Sequence, residues 1–596
     1  MGFLRRFRNE SGAVAIWFAV LALPLAVLSF GLIDVNRASV EKRYLQDALD
    51  AATLLAARST AATDSQLQSI GAAAMAAQLS GSSQAKLTST SFTVVGTKIT
   101  GTAVATVKPV IANLWLKGDM TVGAKAEVIR ASTNLEVAVV LDITGSMSGS
   151  RITDLKTAAT DLIDMVVSDV QTPYYSKAAI VPYSVGVNVG AYAASARGAV
   201  TAGKTITAAS WATGTAKTIT GSTKANPVVI TSNGHGFSNG DVVWITGVKG
   251  MTQLNDRAYT VANKSTNSFQ LSGVNGSSYS TYSSAGTVQK CQVSDCSIVI
   301  TSTAHGFNNG DRVQITGVNG MTQINNTTFT VANKATNTFS LSGVNGAGYG
   351  TYSSGGTAYC VMAGCQYYEF TSATGSTEVF GISTCVTERI GLSAATDVAP
   401  SGSPVGRNYP STSNPCPSAS ITPLTSDKVA LKSQINSFSA TGSTAGQIGV
   451  AWGWFMVSPN FAYLWPSGRQ PAAYGTKELV KAVVIMTDGD FNTPYCNGVI
   501  AKNAGTGSGS SSDKINCNAT NGDPVSQALT ICTNMKAKGV VVYTVGFDVD
   551  KGSSAETLMK GCATSTAHVY LPSSGGALKD AFAAIGRDIM KLRLSK

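Results

Sequence analysis

Gly12 to Ile33 is an unbroken run without a charge. At about 1.5 Å of rise per residue it is long enough to cross a hydrocarbon core of about 30 Å. Arg5, Arg6 and Arg8 precede it. Positive residues stay on the cytoplasmic side, so this orientation exports everything after residue 33. A cleaved signal peptide is the rival reading. Its apolar region is usually about 7 to 15 residues long and ends in a small-x-small site, and no such site ends this run. A buried core helix rarely presents charge-free sides all round. Pro24 kinks such a span without ruling it out. The expectation is residues 1–33 as a basic stub and single-pass anchor in the cytoplasmic (inner) membrane, with the bulk of the chain extracytoplasmic.

The cysteines agree with export. All ten lie after residue 290, and an even number suits an oxidising compartment. Cys291 with Cys296 and Cys360 with Cys365 share a Cys-x4-Cys spacing. Zinc ligation competes, but no Cys-x2-Cys pair or accompanying histidine supplies such a site. Pairing of near neighbours would also join Cys385 to Cys416, Cys496 to Cys517 and Cys532 to Cys562. The chain has 60 Gly and 13% charged residues, unlike disordered segments and closer to secreted β-rich proteins. Its net charge of +11 comes from Lys and Arg spread thinly, with no basic run interleaved with aromatics, which argues against nucleic acid. Weak attraction to anionic envelope polymers fits better. With 596 residues, two to four domains are expected.

Chemistry gathers where apolar runs stop. Leu135 to Leu141 reads as a strand buried on both faces and ends at Asp142. Asp142, Thr144 and Ser146 then supply one carboxylate and two hydroxyls before a helix. A hard divalent cation such as Mg²⁺ takes oxygen ligands and keeps several waters, so few charged ligands suffice. Taken alone, Asp-x-Thr-x-Ser reads equally well as a helix cap. A second short run, Val483 to Met486, ends in Thr487-Asp488-Gly489, and two parallel strands ending in carboxylates form one crevice. Between them in sequence lies Gly442-Ser443-Thr444-Ala445-Gly446, ahead of an apolar helix over 448–457. Asp490 reads as a surface acid. The metal candidates are thus Asp142, Thr144, Ser146, Thr444 and Asp488, and a degenerate scaffold without metal is the alternative.

Around these runs, helices over 155–167, 526–538 and 578–594 and strands over 178–185 and 540–547 alternate, which implies a parallel, doubly wound α/β sheet over 134–200 and 400–596. Residues 34–130 read as an Ala-rich helix, continuing to about 80, and a small β module with strands over 91–99, 102–110 and 122–129. Ile230 to Thr287 and Ile300 to Thr357 are near copies, in which His235-Gly236-Phe237 returns as His305-Gly306-Phe307. Both carry short apolar runs joined by glycine turns. They predict two tandem β modules, 222–290 and 291–360, interrupting the sheet domain. His235 and His305, beside glycine in a repeated turn, read as packing residues. His568 has no nucleophile near it. Gly145-Ser146-Met147-Ser148-Gly149 lacks the Lys-Ser/Thr of a phosphate loop and the centred Ser of a nucleophile elbow. No nucleophile and base pair is visible, so an enzyme lacks its residues.

Several segments carry family resemblances. Ser11-Gly12-Ala13-Val14-Ala15, Pro24-Leu25, Asp34, Arg37 and Leu45-Gln46-Asp47-Ala48-Leu49-Asp50-Ala51-Ala52 resemble the N-terminus of tight-adherence (Flp) pilus-assembly proteins of the TadE/TadG-like kind. Prepilin-like members of that system have Glu five residues after the Gly. Trp17 stands there, which implies a permanent anchor. The Asp142, Thr444 and Asp488 segments resemble, in order and type, the metal-ion-dependent adhesion site of the von Willebrand factor A family. That resemblance implies a Rossmann-like domain, Asp142, Ser146 and Thr444 as ligands, Asp488 as a ligand through water, and a partner's acidic side chain completing the shell. Thr144 stands where Ser is commoner, with an equivalent hydroxyl. Pro423 to Lys428, Trp452-Gly453-Trp454 and Leu592-Arg593-Leu594 also resemble the pilus-assembly family. The repeats resemble phage-tail modules similar to a half-domain of ubiquitin-activating enzymes, which implies a β fold and no such catalysis. The implied role is pilus assembly with pilus-system partners. A surface adhesin recognising glycan or host protein is the alternative.

Overall fold

The computed structural model describes residues 11–59, 63–80, 84–95, 98–110, 118–129 and 133–595. Arg5, Arg6 and Arg8, and with them the orientation argument, lie outside the described residues.

One helix, α1 (Ser11–Arg58), runs through the apolar segment and beyond it with Pro24 inside. Its N-terminal part leaves Ile16, Trp17, Phe18, Leu21, Leu25, Leu28 and Leu32 exposed. Its C-terminal part does the opposite. Leu45, Leu49, Ala52 and Ala56 are buried with Phe92, Ile99 and Ala105 of a three-stranded antiparallel sheet, β1 (Lys86–Val95), β2 (Lys98–Val107) and β3 (Met120–Ile129). Helix and sheet meet closely because Gly101 has no side chain: a Cβ there would lie 2.3 Å from Thr53 Oγ1.

Two expectations for this region are corrected. The helix expected to continue to residue 80 is two helices, since Thr63 opens α2 (Asp64–Leu79) with a reciprocal Thr63/Gln66 capping box. The strands expected over 91–99 and 102–110 are instead Lys86–Val95 and Lys98–Val107, paired with Val95 opposite Lys98, so that Gly101 lies inside a strand opposite Phe92.

The second body is a six-stranded sheet in the order β6-β5-β4-β7-β8-β9, formed by β4 (Asn134–Asp142), β5 (Ser176–Tyr183), β6 (Thr422–Thr425), β7 (Leu479–Thr487), β8 (Val541–Gly546) and β9 (Val569–Tyr570). All neighbours are parallel except β6, which is antiparallel to β5. Helices cover both faces. α3 (Ser150–Val166), α4 (Lys428–Asn436) and α8 (Gly575–Ser595) pack on one, and α5 (Gly446–Val457), α6 (Pro524–Ala537) and α7 (Ser554–Cys562) on the other. This explains why β4 and β7 read as apolar beyond Glu136 and Lys481, since strands covered on both sides have no polar face. In α5, Gly449 and Gly453 bring the helix against Tyr183 and Val140, where a Cβ would lie 2.7 and 2.5 Å from side-chain atoms.

Between β5 and β6 the chain builds two further sheets of seven strands each. Their cores match position for position: Phe237, Ile245, Met251 and Phe269 in one, Phe307, Ile315, Met321 and Phe339 in the other. In the first sheet Ala212–Thr218 pairs with Thr287–Cys291. The counterparts for the second sheet lie ahead of the first copy: Lys204–Thr205 pairs with Ser354–Cys360, and Ala208–Ser210 with Ser297–Thr301. The second sheet is therefore begun, left, and finished after the first is complete.

His235 and His305 are buried packing residues. Each Nδ1 accepts the backbone N–H of the nearby Phe at 3.0 Å, and each ring lies against two phenylalanines. The five expected cystine pairs are all formed.

Candidate metal centre

The site lies at the C-terminal ends of β4 and β7, where two neighbouring parallel strands release their chains into loops. Asp142 is the last residue of β4 and has no exposed surface. Thr144 N–H donates to its Oδ1 at 2.9 Å, while Tyr183 OH and Thr487 Oγ1 both donate to its Oδ2 at 2.9 Å. Every partner is an N–H or O–H dipole, and none is a cation. Asp488 follows β7. Its Oδ1 accepts from Ser146 Oγ at 2.6 Å, and Ser146 Oγ lies 3.0 Å from Thr144 Oγ1. The two strands thus present two carboxylates and two hydroxyls together, with Ser146 exposed at the mouth.

The third segment is held against the first by backbone. Gly145 N–H donates to Gly442 O at 2.9 Å and Thr441 N–H to Ile143 O at 2.8 Å. Gly442 takes φ +75°, and a Cβ there would lie 2.8 Å from Val185, so both the turn and the close approach require glycine. Thr444 is buried in this turn and fixed through its backbone: its N–H donates to Asn492 Oδ1 at 3.2 Å, and its carbonyl accepts Asn492 N–H at 3.0 Å. Its hydroxyl makes no hydrogen bond to the described residues. The structure therefore brings Thr144, Ser146 and Asp488 into direct contact, sets Asp142 behind them through Thr144, and places the Thr444 turn on the same loop pair. Asp490 is exposed and accepts the N–H of Ala555 at 2.9 Å, at the start of α7.

Burial and, second to it, the charge of Asp488 push the Asp142 carboxyl up to about 6. The same burial, with Asp142 beside it, holds the Tyr183 phenol well above its usual range. Like charges crowded into a dry crevice and surrounded by hydroxyl oxygens are the donor chemistry of a hard divalent cation, so the residues fit such an ion. Among the described residues no group of three or more His, Cys, Asp or Glu is placed to hold a metal, so hydroxyls have to supply part of any coordination.

Sequence reasoning missed three participants. Tyr183 ends the neighbouring strand and is the register partner of Asp142. Thr487 precedes Asp488 and points back at Asp142. Arg151, in the first turn of α3, donates to Asp488 Oδ2 at 3.0 Å and to Asp548 Oδ2 at 2.6 Å. The first two follow from strand register. Arg151 had no signal, since both its partners are remote from it in sequence.

Residues 12–59 match the family model described as putative Flp pilus-assembly TadE/G-like. This N-terminal segment is a Tad-like Flp pilus-assembly domain, and it carries the helix among the described residues that is long and apolar enough to cross a membrane. The two together support a membrane anchor at this end of the chain. Residues 225–292 and 297–362 each match the FCCH domain of ubiquitin-activating enzyme E1. No curated protein matches the chain. Among solved structures it is similar to the von Willebrand factor domain of the type V pili tip protein Mfa5 from Porphyromonas gingivalis, at 9% identity and TM-score 0.29, covering 78% of this chain and 97% of that one. It is similar also to the pilus adhesin SpaC from Lactobacillus rhamnosus GG, at 10% identity and TM-score 0.27, covering 85% of this chain and 34% of that one. The chain thus spans about a third of SpaC, and at these TM-scores neither overlay defines a shared fold.

Proposed function

We propose that this chain is a TadG-like component of a tight-adherence (Flp) pilus system. It is anchored in the inner membrane by α1, with a periplasmic von Willebrand factor A-like domain that grips a protein partner through a divalent-cation adhesion site. Asp142, Thr144, Ser146, Thr444 and Asp488 would hold the ion, Mg²⁺ or another divalent cation. When bound, it supplies a positive centre that accepts a partner's carboxylate. The chain's own residues prepare that site. Thr144 N–H, Tyr183 and Thr487 fix both oxygens of Asp142, and Ser146 stands at the exposed mouth. The observation that supports this reading most is the fully buried Asp142, which has no cation of its own and faces a second carboxylate. The two β modules, set between β5 and β6, form an insertion in the sheet domain.

Asp142→Ala in the full chain should abolish Mg²⁺ binding by calorimetry, and with it chelator-sensitive capture of envelope proteins, while leaving the five disulfides and the circular dichroism intact. Unchanged Mg²⁺ affinity would overturn the metal site. Deletion of the chain should remove pilus fibres. Intact fibres with lost attachment would favour the adhesin reading instead.

A further inference from the structure

Away from the acidic crevice, a cavity of about 310 Å³ opens beside a small three-stranded sheet formed by Val187–Asn188, Cys385–Thr387 and Gly406–Arg407. Its wall carries Arg197, Arg389 and Arg407 and a single acid, Glu388. Arg197 and Arg389 are 6% and 3% exposed. Each spends one nitrogen on a backbone carbonyl: Arg197 Nη2 donates to Ser383 O at 3.1 Å, and Arg389 Nη1 to Thr396 O at 3.3 Å. Nε and Nη1 of Arg197, Nε and Nη2 of Arg389 and Nε of Arg407 are buried without an acceptor. Glu388 Oε1 accepts Tyr495 N–H at 2.9 Å, and its Oε2 is likewise buried and unpartnered. Buried guanidinium nitrogens without acceptors are rare, because desolvating a cation costs several kcal/mol that only an anion or carbonyl offsets.

The three arginines differ. Arg389 lies 5.1 Å from the centroids of both Phe455 and Phe461 and feels Asp397, so its charge is largely answered within the chain. Arg197 and Arg407 have no such partner, and Arg407 acts on Arg197 as a like charge. Gly198 and Gly364 flank the Arg407 guanidinium: a Cβ at Gly198 would lie 3.4 Å from its Nη2 and one at Gly364 3.7 Å from its Cζ, both at ordinary contact distance. Both glycines have positive φ, +84° and +99°. Burial pushes the Glu388 carboxyl up to about 7, so it offsets at most one of the charges on Arg197 and Arg407, and the pocket calls for an anion. A guanidinium fork matches a carboxylate in two-point geometry.

We infer that this cavity is a carboxylate-binding site, taking an acidic side chain or a chain terminus of a polypeptide on Arg197 and Arg407. It does not depend on the metal centre.

The test is calorimetric titration of the full chain in detergent micelles with three organic probes and with inorganic phosphate. N-acetylglutamic acid α-amide carries only a side-chain carboxylate, N-acetyl-dialanine only a terminal one, and N-acetylglutamine amide carries neither. One of the first two should bind and the third should not, and the one that binds identifies the source. Arg407→Gln, at a partly exposed position, should weaken binding at least about tenfold, the loss expected for one charge-assisted hydrogen bond. Arg197→Lys should do the same while keeping the charge, because it breaks the fork. Circular dichroism and the thermal unfolding midpoint, measured in parallel, should not change in either variant and report that the fold is intact. No heat from either carboxylate at millimolar concentration, equal binding of the amide, tighter binding of inorganic phosphate, or undiminished binding by both variants would each overturn the proposal.

Discussion

The single strand β4 carries two buried carboxylates, and the chain treats them in opposite ways. At its N-terminal end Glu136 is fully answered. Lys481 Nζ donates to Oε2 at 2.5 Å, while Tyr175 OH and Ala472 N–H donate to Oε1 at 2.9 Å. Lys481 is in turn held by Val457 O at 2.8 Å and faces the Tyr474 ring. At its C-terminal end Asp142 is just as buried and meets only dipoles, with a second acid close by. Both lie on the same strand of the same sheet, so burial alone does not explain the difference. A structural charge is closed by its own counter-ion. A charge left open at the crevice is available to something the chain does not contain.

The largest effect should come from breaking the closed end. Lys481→Met leaves Glu136 buried and unpaired and should cost about 3–5 kcal/mol, read as a fall in the denaturation midpoint of the sheet domain. A loss under about 1 kcal/mol would mean that the two ends are not different in kind.

The open end should respond to pH with a sign set by the ion. Without divalent cation, the Asp142 carboxyl titrates at about 6 in the folded protein against an ordinary 3.8. The folded state therefore holds the extra proton. Stability from this group is fully present below 3.8 and is lost as pH rises through about 6, on the order of 3 kcal/mol in all. Thermal unfolding in chelator should show this decline, and Asp142→Asn should flatten it. In excess Mg²⁺ the slope should reverse, because protonation then competes with the ion. The same slope with and without Mg²⁺ would show that no ion binds at Asp142.

The smallest effect should come from Arg151→Gln. It removes the cation that touches Asp488, at a half-buried position, and should cost about 1 kcal/mol in chelator. Mg²⁺ affinity should rise several-fold, since Arg151 and the ion compete for one carboxylate. A fall in affinity would make Arg151 a support of the site rather than a competitor.

Much of this was legible beforehand where one residue type answers to one local rule. Apolar runs covered on both faces gave β4 and β7, and their abrupt ends gave Asp142 and Asp488. Cysteine proximity pointed to the five pairs that form, while spacing alone left their connectivity open. What stayed hidden depends on contacts across the chain. The start of a second helix at Asp64 was lost in Ala-rich sequence, because a capping box needs geometry to be told from ordinary Thr and Gln. The strand bounds around Gly101 were misplaced because what Gly101 admits is a helix from a much earlier part of the chain, at Thr53. Arg151, and the meeting of Arg197 with Arg407, had no local pattern: the two latter side chains come together only once strands over 187–188, 385–387 and 406–407 pair.

The nested order of the paired β sheets has an evolutionary consequence. Thr205 and Thr357 are cross-strand neighbours, so the whole excursion leaves the α/β body and returns to it at one point. The first copy is itself an excursion from the second. A further copy nested in the same way would leave the Thr205–Thr357 pairing, and with it the crevice at Asp142, as they are.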